Sequence, residues 1–212
     1  MFCRGTVAAA TATAPLVDHR PGGPVTAPSP SDVAPLPLAA GTWTLDPAHS
    51  GVNFQIRHLG VTNVRGRFDT FSATLSVGDT LESVSVGAEI DLASINTNQP
   101  DRDAHLRSAD FFDLASHPSI TFTSTSVTGS DEEYELAGDL SINGVTRPVT
   151  LAVEFYGVDT HPVDGRVRSG FAATTEIRRG DYGITFNLPL GAGRLALSDK
   201  VKIELDLQFI AP

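Results

Sequence analysis

Residues 50–68 read SGVNFQIRHLGVTNVRGRF, and the alternation within them is that of a strand, a turn and a second strand. Val52, Phe54, Ile56 and His58 share one face of the first run, and Asn53, Gln55 and Arg57 share the other. The reason is that side chains of an extended chain alternate with a period of two. A turn through 60–63 comes next, and Val64, Gly66 and Phe68 line up on one face of the returning run. An apolar row ending in a histidine suits the wall of a barrel whose interior is greasy with one polar spot. It suits equally well an ordinary packed core around a tolerated histidine. The segment alone does not choose between the two.

The same period runs through most of the chain beyond Phe68. Phe71, Ala73, Leu75 and Val77 form one face; Val84, Val86, Ala88, Ile90 and Leu92 form another. Ile120 and Phe122 resume it, then Tyr134 to Ile142, Val149 to Phe155, Phe171 to Ile177 and Val201 to Phe209. Turn chemistry separates the runs at Gly78-Asp79, Gly129-Ser130-Asp131, Asn143-Gly144 and Asp164-Gly165. Asn143-Gly144 is the clearest hairpin signal, because Asn and Gly accept the positive φ that a two-residue hairpin turn demands. About eight such strands point to an all-β fold, an eight-stranded antiparallel barrel or a sandwich. Closure is favoured because it removes exposed strand edges. One segment breaks the period: 101–116, DRDAHLRSADFFDLAS, reads as helical, with Pro100 before it, Asp101 as its cap and a second short helix starting at Ser108.

Residues 1–40 hold seven of the fourteen prolines, mixed with Ala, Thr and Gly, and can bury too little to offset their ordering entropy. They are expected to be a disordered Pro/Ala-rich tail, with the barrel domain occupying 41–212. The net charge of −10, with only two lysines, argues against a partner with a phosphate backbone, so no nucleic acid is expected. The same charge weighs against docking on anionic lipid headgroups. No run of about twenty apolar residues exists, so no transmembrane helix is expected. Residues 7–14 make a poor secretory signal, which favours the cytoplasm.

Motifs for catalysis are missing. There is no G-x-S-x-G elbow, no H-E-x-x-H, no C-x-x-C and no phosphate-binding G-x-x-x-x-G-K. A metal site could be drawn through Asn96, Asn98, Asp101, Asp103 and His105, but acidic residues at a helix start are explained by capping and the dipole, and no metal is expected. An eight-stranded barrel is at the size threshold between a filled interior and one that holds a small ligand. The inward positions mix large residues (Phe54, Phe68, Phe71, Phe122, Phe155, Phe171) with small ones (Gly66, Ala73, Ala88, Gly138, Ala173). That mixture permits a cavity and also permits an interdigitated core.

Several motifs resemble the YceI family. They are Trp43-Thr-Leu-Asp-Pro-Ala-His-Ser50 with the adjoining strand, Ser94-Ile-Asn-Thr97-Asn98 with 102–113, and His117-Pro118-x-Ile120-Thr-Phe122. Gly138 to Val149 and Arg179-x-Asp181-Tyr182-Gly183-Ile184 complete the set, in the family's order, over about 41–209. The resemblance implies an extended, lipocalin-like eight-stranded antiparallel β-barrel with a short helical insertion. It implies a non-catalytic protein that binds, stores or transports a polyisoprenoid or isoprenoid quinone lipid, with no cofactor required beyond that bound lipid. Periplasmic or secreted members are known in the family, and a homodimer is compatible with it.

Taken together, the alternation and the motifs nominate Phe54, Ile56, His58, Phe68, Phe71, Phe122, Arg179, Tyr182 and Ile184 as ligand-contacting residues. Arg57, Arg65 and Arg67 are further candidates for a headgroup, since guanidinium forks onto phosphate or quinone oxygens. Arg179, beside Asp181, reads either as such an anchor or as a salt bridge closing the barrel end. Two other functions stay open: an enzyme using a barrel-lining His58 or His49 with a carboxylate, and a filled barrel acting through its surface as a stress-related interaction module.

Overall fold

The computed structural model describes residues 37–212, so the expected tail lies outside the described residues apart from its last four. Within those four, Leu38 is buried beside Trp43, and Trp43 Nε1 donates to the Ala39 carbonyl at 2.9 Å.

The alternating runs form the strands β1 (Gly41–Leu45), β2 (Gly51–His58), β3 (Thr62–Phe68), β4 (Phe71–Val77), β5 (Ser85–Asp91) and β6 (Ile95–Asn96). After the α-helix α1 (Pro100–Leu106) come β7 (Ser119–Ser130), β8 (Glu133–Ile142), β9 (Val145–Thr160) and β10 (Val167–Arg178). A small hairpin, β11 (Pro189–Gly191) and β12 (Arg194–Leu195), precedes the long β13 (Leu197–Ile210).

These segments make an antiparallel wall of eight positions. Strands β1 and β2 are two halves of one position, interrupted by a single 3-10 turn at Pro47–His49, and both pair with β13. Strands β3 and β4 likewise pair with β2 and β1 in turn, and β5 leads through a 3-10 turn at Leu92–Ser94 into β6. From β5 the order continues β7, β8, β9, β10 and back to β13, which closes the ring. The interruption at Pro47–His49 is stitched by Asp46 N–H to the Gln208 carbonyl at 2.8 Å and Gln208 N–H to Ser50 Oγ at 3.0 Å. Closure leaves no long unpaired edge in the ring.

Turns follow the sequence where glycine or asparagine supplies positive φ. Asn143 (φ 51) and Gly144 (φ 72) make the expected two-residue turn between β8 and β9. The β2–β3 turn is shifted from the expected 60–63: Leu59 (φ 54) and Gly60 (φ 77) sit at its tip, closed by Val61 N–H to the His58 carbonyl.

The helical segment is shorter than expected. Helix α1 stops at Leu106, and 108–116 is a series of turns, not a second helix. Its cap is Gln99, whose side chain accepts from Arg102 N–H; Asp101 lies inside the first turn, following Pro100 at the first helical position. Asp103 is spent on structure: its Oδ1 accepts from Thr97 N–H at 2.9 Å and from the Thr97 hydroxyl.

Candidate functional site

The inward faces of the strands enclose two apolar chambers. The first, of about 190 Å³, is lined by residues from all eight positions of the wall, among them Phe71, Ala73, Ala88, Phe122, Leu136, Phe171 and Ala173. The second, of about 320 Å³, lies toward the end of the barrel carrying α1 and residues 184–197. Phe54, Phe68, Ile120, Ile142 and Ile203 line both, so the two chambers adjoin across these residues. There the Phe54 and Phe68 rings lie 5.6 Å apart, centroid to centroid. Inward residues such as Phe54, Ile56, Ala88, Val153 and Leu205 remain half-buried although they face the interior. A filled core would bury them fully.

Glycines opposite aromatics shape this lining. Gly66 is the direct cross-strand partner of Phe54, and a Cβ at Gly66 would overlap the Phe54 ring and lie 2.8 Å from Thr97 Cγ2. Gly138 accommodates the Phe122 ring in the same way. Each missing side chain is what lets a phenyl ring lie flat along the wall.

The nominated residues all reach the lining. Phe71 and Phe122 face the first chamber, Phe54 and Phe68 face both, and Ile56, His58, Arg179, Tyr182 and Ile184 face the second. Arg57, Arg65 and Arg67 line neither chamber; they stand on the other face of the β2–β3 pair, opposite Asn63, Gln55 and Asn53 respectively. Among the described residues, the charged and histidine side chains of the lining, His58, Arg102, His105 and Arg179, are confined to the second chamber, and no carboxylate lines it.

Arg179 begins a single 3-10 turn, Arg179–Tyr182, that buries both its ends. The expected ion pair with Asp181 is not formed. Instead Nε donates to the Ser198 carbonyl at 3.0 Å, and Nη1 donates to the carbonyls of Ile184 at 2.9 Å and Phe186 at 2.8 Å. Burial pushes the guanidinium below its ordinary value, and nearby Asp199 opposes this only in part; an arginine side chain nonetheless stays charged in a protein. Tyr182 is almost fully buried, and burial together with Asp181 holds its phenol above the ordinary value, so it remains a hydrogen-bond donor. Among the described residues its hydroxyl, the His58 ring and Arg179 Nη2 make no hydrogen bond.

Sequence reasoning missed the roof of this chamber. His105, Phe111 and Phe186 form a three-way aromatic contact, with centroids 4.9 to 5.1 Å apart. The alternation of Ile184, Phe186 and Leu188 was the signal that could have found part of it. His105 Nε2 meets Asp110 Oδ2 at 2.8 Å, the one His–carboxylate pair beside a chamber among the described residues; both side chains are about half exposed. His49 pairs with Asp46 at 3.0 Å but lines neither chamber.

A family model described as the YceI-like domain matches residues 43–209. A UPF0312 protein of Staphylococcus aureus is 41% identical over 169 residues, covering 79% of this chain and 96% of its own length. Among solved structures, the YceI protein of Campylobacter jejuni superposes with a TM-score of 0.62 at 28% identity, covering 74% of this chain and 90% of that one. BcnA of Burkholderia cenocepacia shares the fold with a TM-score of 0.65 at 22% identity, covering 77% of this chain and 98% of its own. So does a polyisoprenoid-binding domain of Saccharophagus degradans, with a TM-score of 0.59 at 22% identity, covering 80% and 98%.

Proposed function

This chain belongs to the YceI family, and on that premise we propose that its barrel binds a long isoprenoid lipid, a polyprenyl phosphate or an isoprenoid quinone, as a carrier or store and without catalysis. The observation that carries the reading is the pair of adjoining apolar chambers with all charged lining groups at one end. A hydrocarbon tail fits the first chamber, and an oxygen-rich headgroup fits the second. The solved polyisoprenoid-binding domain of the same fold supports the ligand class.

The energetics agree with a partly enclosed tail. Each buried methylene contributes about 0.8 kcal/mol, so a chain of ~40 carbons would naively supply ~30 kcal/mol. Non-covalent binding saturates near 18–21 kcal/mol, so ordering the chain and leaving part of it outside must offset the rest. Such binding tolerates changes of chain length, because one methylene more or less discriminates weakly. Tyr182 and Arg179 then offer donors to phosphate or quinone oxygens. Against catalysis, the His105–Asp110 pair is half exposed and, among the described residues, the second chamber has no Ser or Cys in its lining.

Organic extraction and mass spectrometry of protein purified from its native host tests this. A prenyl lipid at near-stoichiometric yield is the expected result. Empty protein whose melting temperature is unmoved by added quinones and polyprenyl phosphates would refute it.

A further inference from the structure

Two hairpins flank the second chamber. The β2–β3 turn carries Leu59 (43% exposed) and Val61 (79%); the β11–β12 hairpin carries Leu188 (58%), Leu190 (38%) and Leu195 (56%). The backbone ties them together: Leu59 N–H donates to the Ala196 carbonyl at 2.7 Å, and Ala196 N–H donates to the Leu188 carbonyl at 2.9 Å. These are five of the eight large exposed hydrophobics among the described residues. Single exposed leucines need no explanation, whereas a cluster bordering an apolar chamber does. Leu188 and Ala196 belong both to these hairpins and to the chamber lining, so the apolar surface runs from outside to inside without a break.

Charge says what covers the patch. The chain is strongly acidic, yet 51–66 and 184–198 contain no Asp or Glu at all. They carry Arg57, Arg65 and Arg194, all exposed and without an ion pair among the described residues. An apolar tip flanked by cations matches the boundary of an anionic bilayer, where hydrocarbon lies just beneath negative headgroups.

We propose that this end of the barrel docks on the surface of an anionic phospholipid bilayer. Leu59, Val61, Leu190 and Leu195 enter the interface, the three arginines sit on the headgroups, and a lipid passes between the bilayer and the second chamber without its tail crossing water. The inference rests on the lipid-binding reading for its purpose, and its test is separable from that reading.

The experiment is flotation of the full chain with vesicles of phosphatidylcholine, with and without phosphatidylglycerol. Binding is expected to need phosphatidylglycerol and to weaken at high salt. Val61→Asp combined with Leu195→Asp should cut the bound fraction about tenfold. Arg57→Ser or Arg194→Ser should each cost roughly fivefold. Val163→Asp, at an equally exposed site (87%) on the β9–β10 turn, should bind as the parent does. All these sites are exposed, so unchanged melting temperatures will show that the variants are folded. Absence of flotation, or an equal loss with Val163→Asp, overturns the proposal. So does a double variant that splits a dimer into monomers while flotation persists, since the patch would then serve a second copy. A chain that takes up prenyl lipid from detergent yet ignores vesicles refutes docking alone. A chain that floats yet never retains prenyl lipid refutes the lipid-binding reading and leaves docking standing.

Discussion

Replacing Ala88 by leucine should stabilise the empty barrel and weaken its ligand, two effects that a filled core would not produce together. Ala88 sits on β5 between Ala73 and Phe122 on the neighbouring strands, and all three line the first chamber of about 190 Å³. Leucine adds three carbons facing that space. At about 0.8 kcal/mol per methylene their burial contributes about 2.4 kcal/mol. Ordering the new side chain costs about 0.5–1 kcal/mol, which leaves a gain of about 1.5–2 kcal/mol. For a domain of this size each kcal/mol moves the melting temperature by about 2–4 °C, so the delipidated variant should melt about 3–8 °C higher. The added side chain occupies room the lipid tail needs, so the further rise on adding a polyprenyl ligand should shrink. Calorimetry of delipidated parent and variant, each with and without ligand, reads both effects. In a filled core the same insertion costs about 1–3 kcal/mol and lowers the melting temperature. A lowered melting temperature, or an undiminished response to ligand, would refute the assignment of Ala88 to an open chamber.

Gly66→Val should destabilise by about 1–3 kcal/mol, because its side chain must displace the Phe54 ring and Thr97; urea unfolding measures it, and a neutral result would mean that the ring does not lie over the glycine. Arg179→Met should cost at least about 2 kcal/mol in the same assay, since it strips charged donors from the Ser198, Ile184 and Phe186 carbonyls. Acid should unfold the protein in a defined direction. Burial pushes the Asp46 carboxyl up, but His49, the Ala48 N–H and Arg168 outweigh it and hold the group below its ordinary value. Asp69 is lowered by Asn96 and Arg67, and Asp199 by the Gly180 N–H and Arg178, against some opposing burial. With folded values below unfolded ones, the unfolded chain takes up protons first as pH falls. The stability these groups supply is therefore intact above about pH 4 and drains away as pH drops through the folded values. Melting temperature should be flat from about pH 8 to 5 and fall below about 4, with a shallower fall in Asp46→Asn; a flat profile down to about pH 2 would contradict this.

The strands were legible because period-two alternation is a property of the chain itself. Phe54, Ile56 and His58 could be placed on one face, and Asn143-Gly144 in a hairpin turn, from residue order alone. The ends of α1 were less legible. A turn series at 108–116 and a short helix share the same Ser and Asp signals, and backbone hydrogen bonds to Ser108 and Asp113 decide between them. The β11–β12 hairpin was not seen, since strands of three and two residues carry no readable period.

Sequence by itself determined which faces of these strands are apolar, where the chain turns and which family motifs it carries. Only the tertiary structure decided what those faces enclose. Whether eight apolar faces meet as a filled core or stand apart around two chambers depends on register and closure, through pairings such as Phe54 opposite Gly66 and β13 against both β1 and β2. The role of Arg179 was decided in the same way, because its carbonyl partners lie five to nineteen residues away along the chain. So was the contrast between an acidic chain and two carboxylate-free segments, 51–66 and 184–198, that the fold brings side by side. Net charge is a sum over residues, whereas the field at a surface depends on which of them the fold brings together.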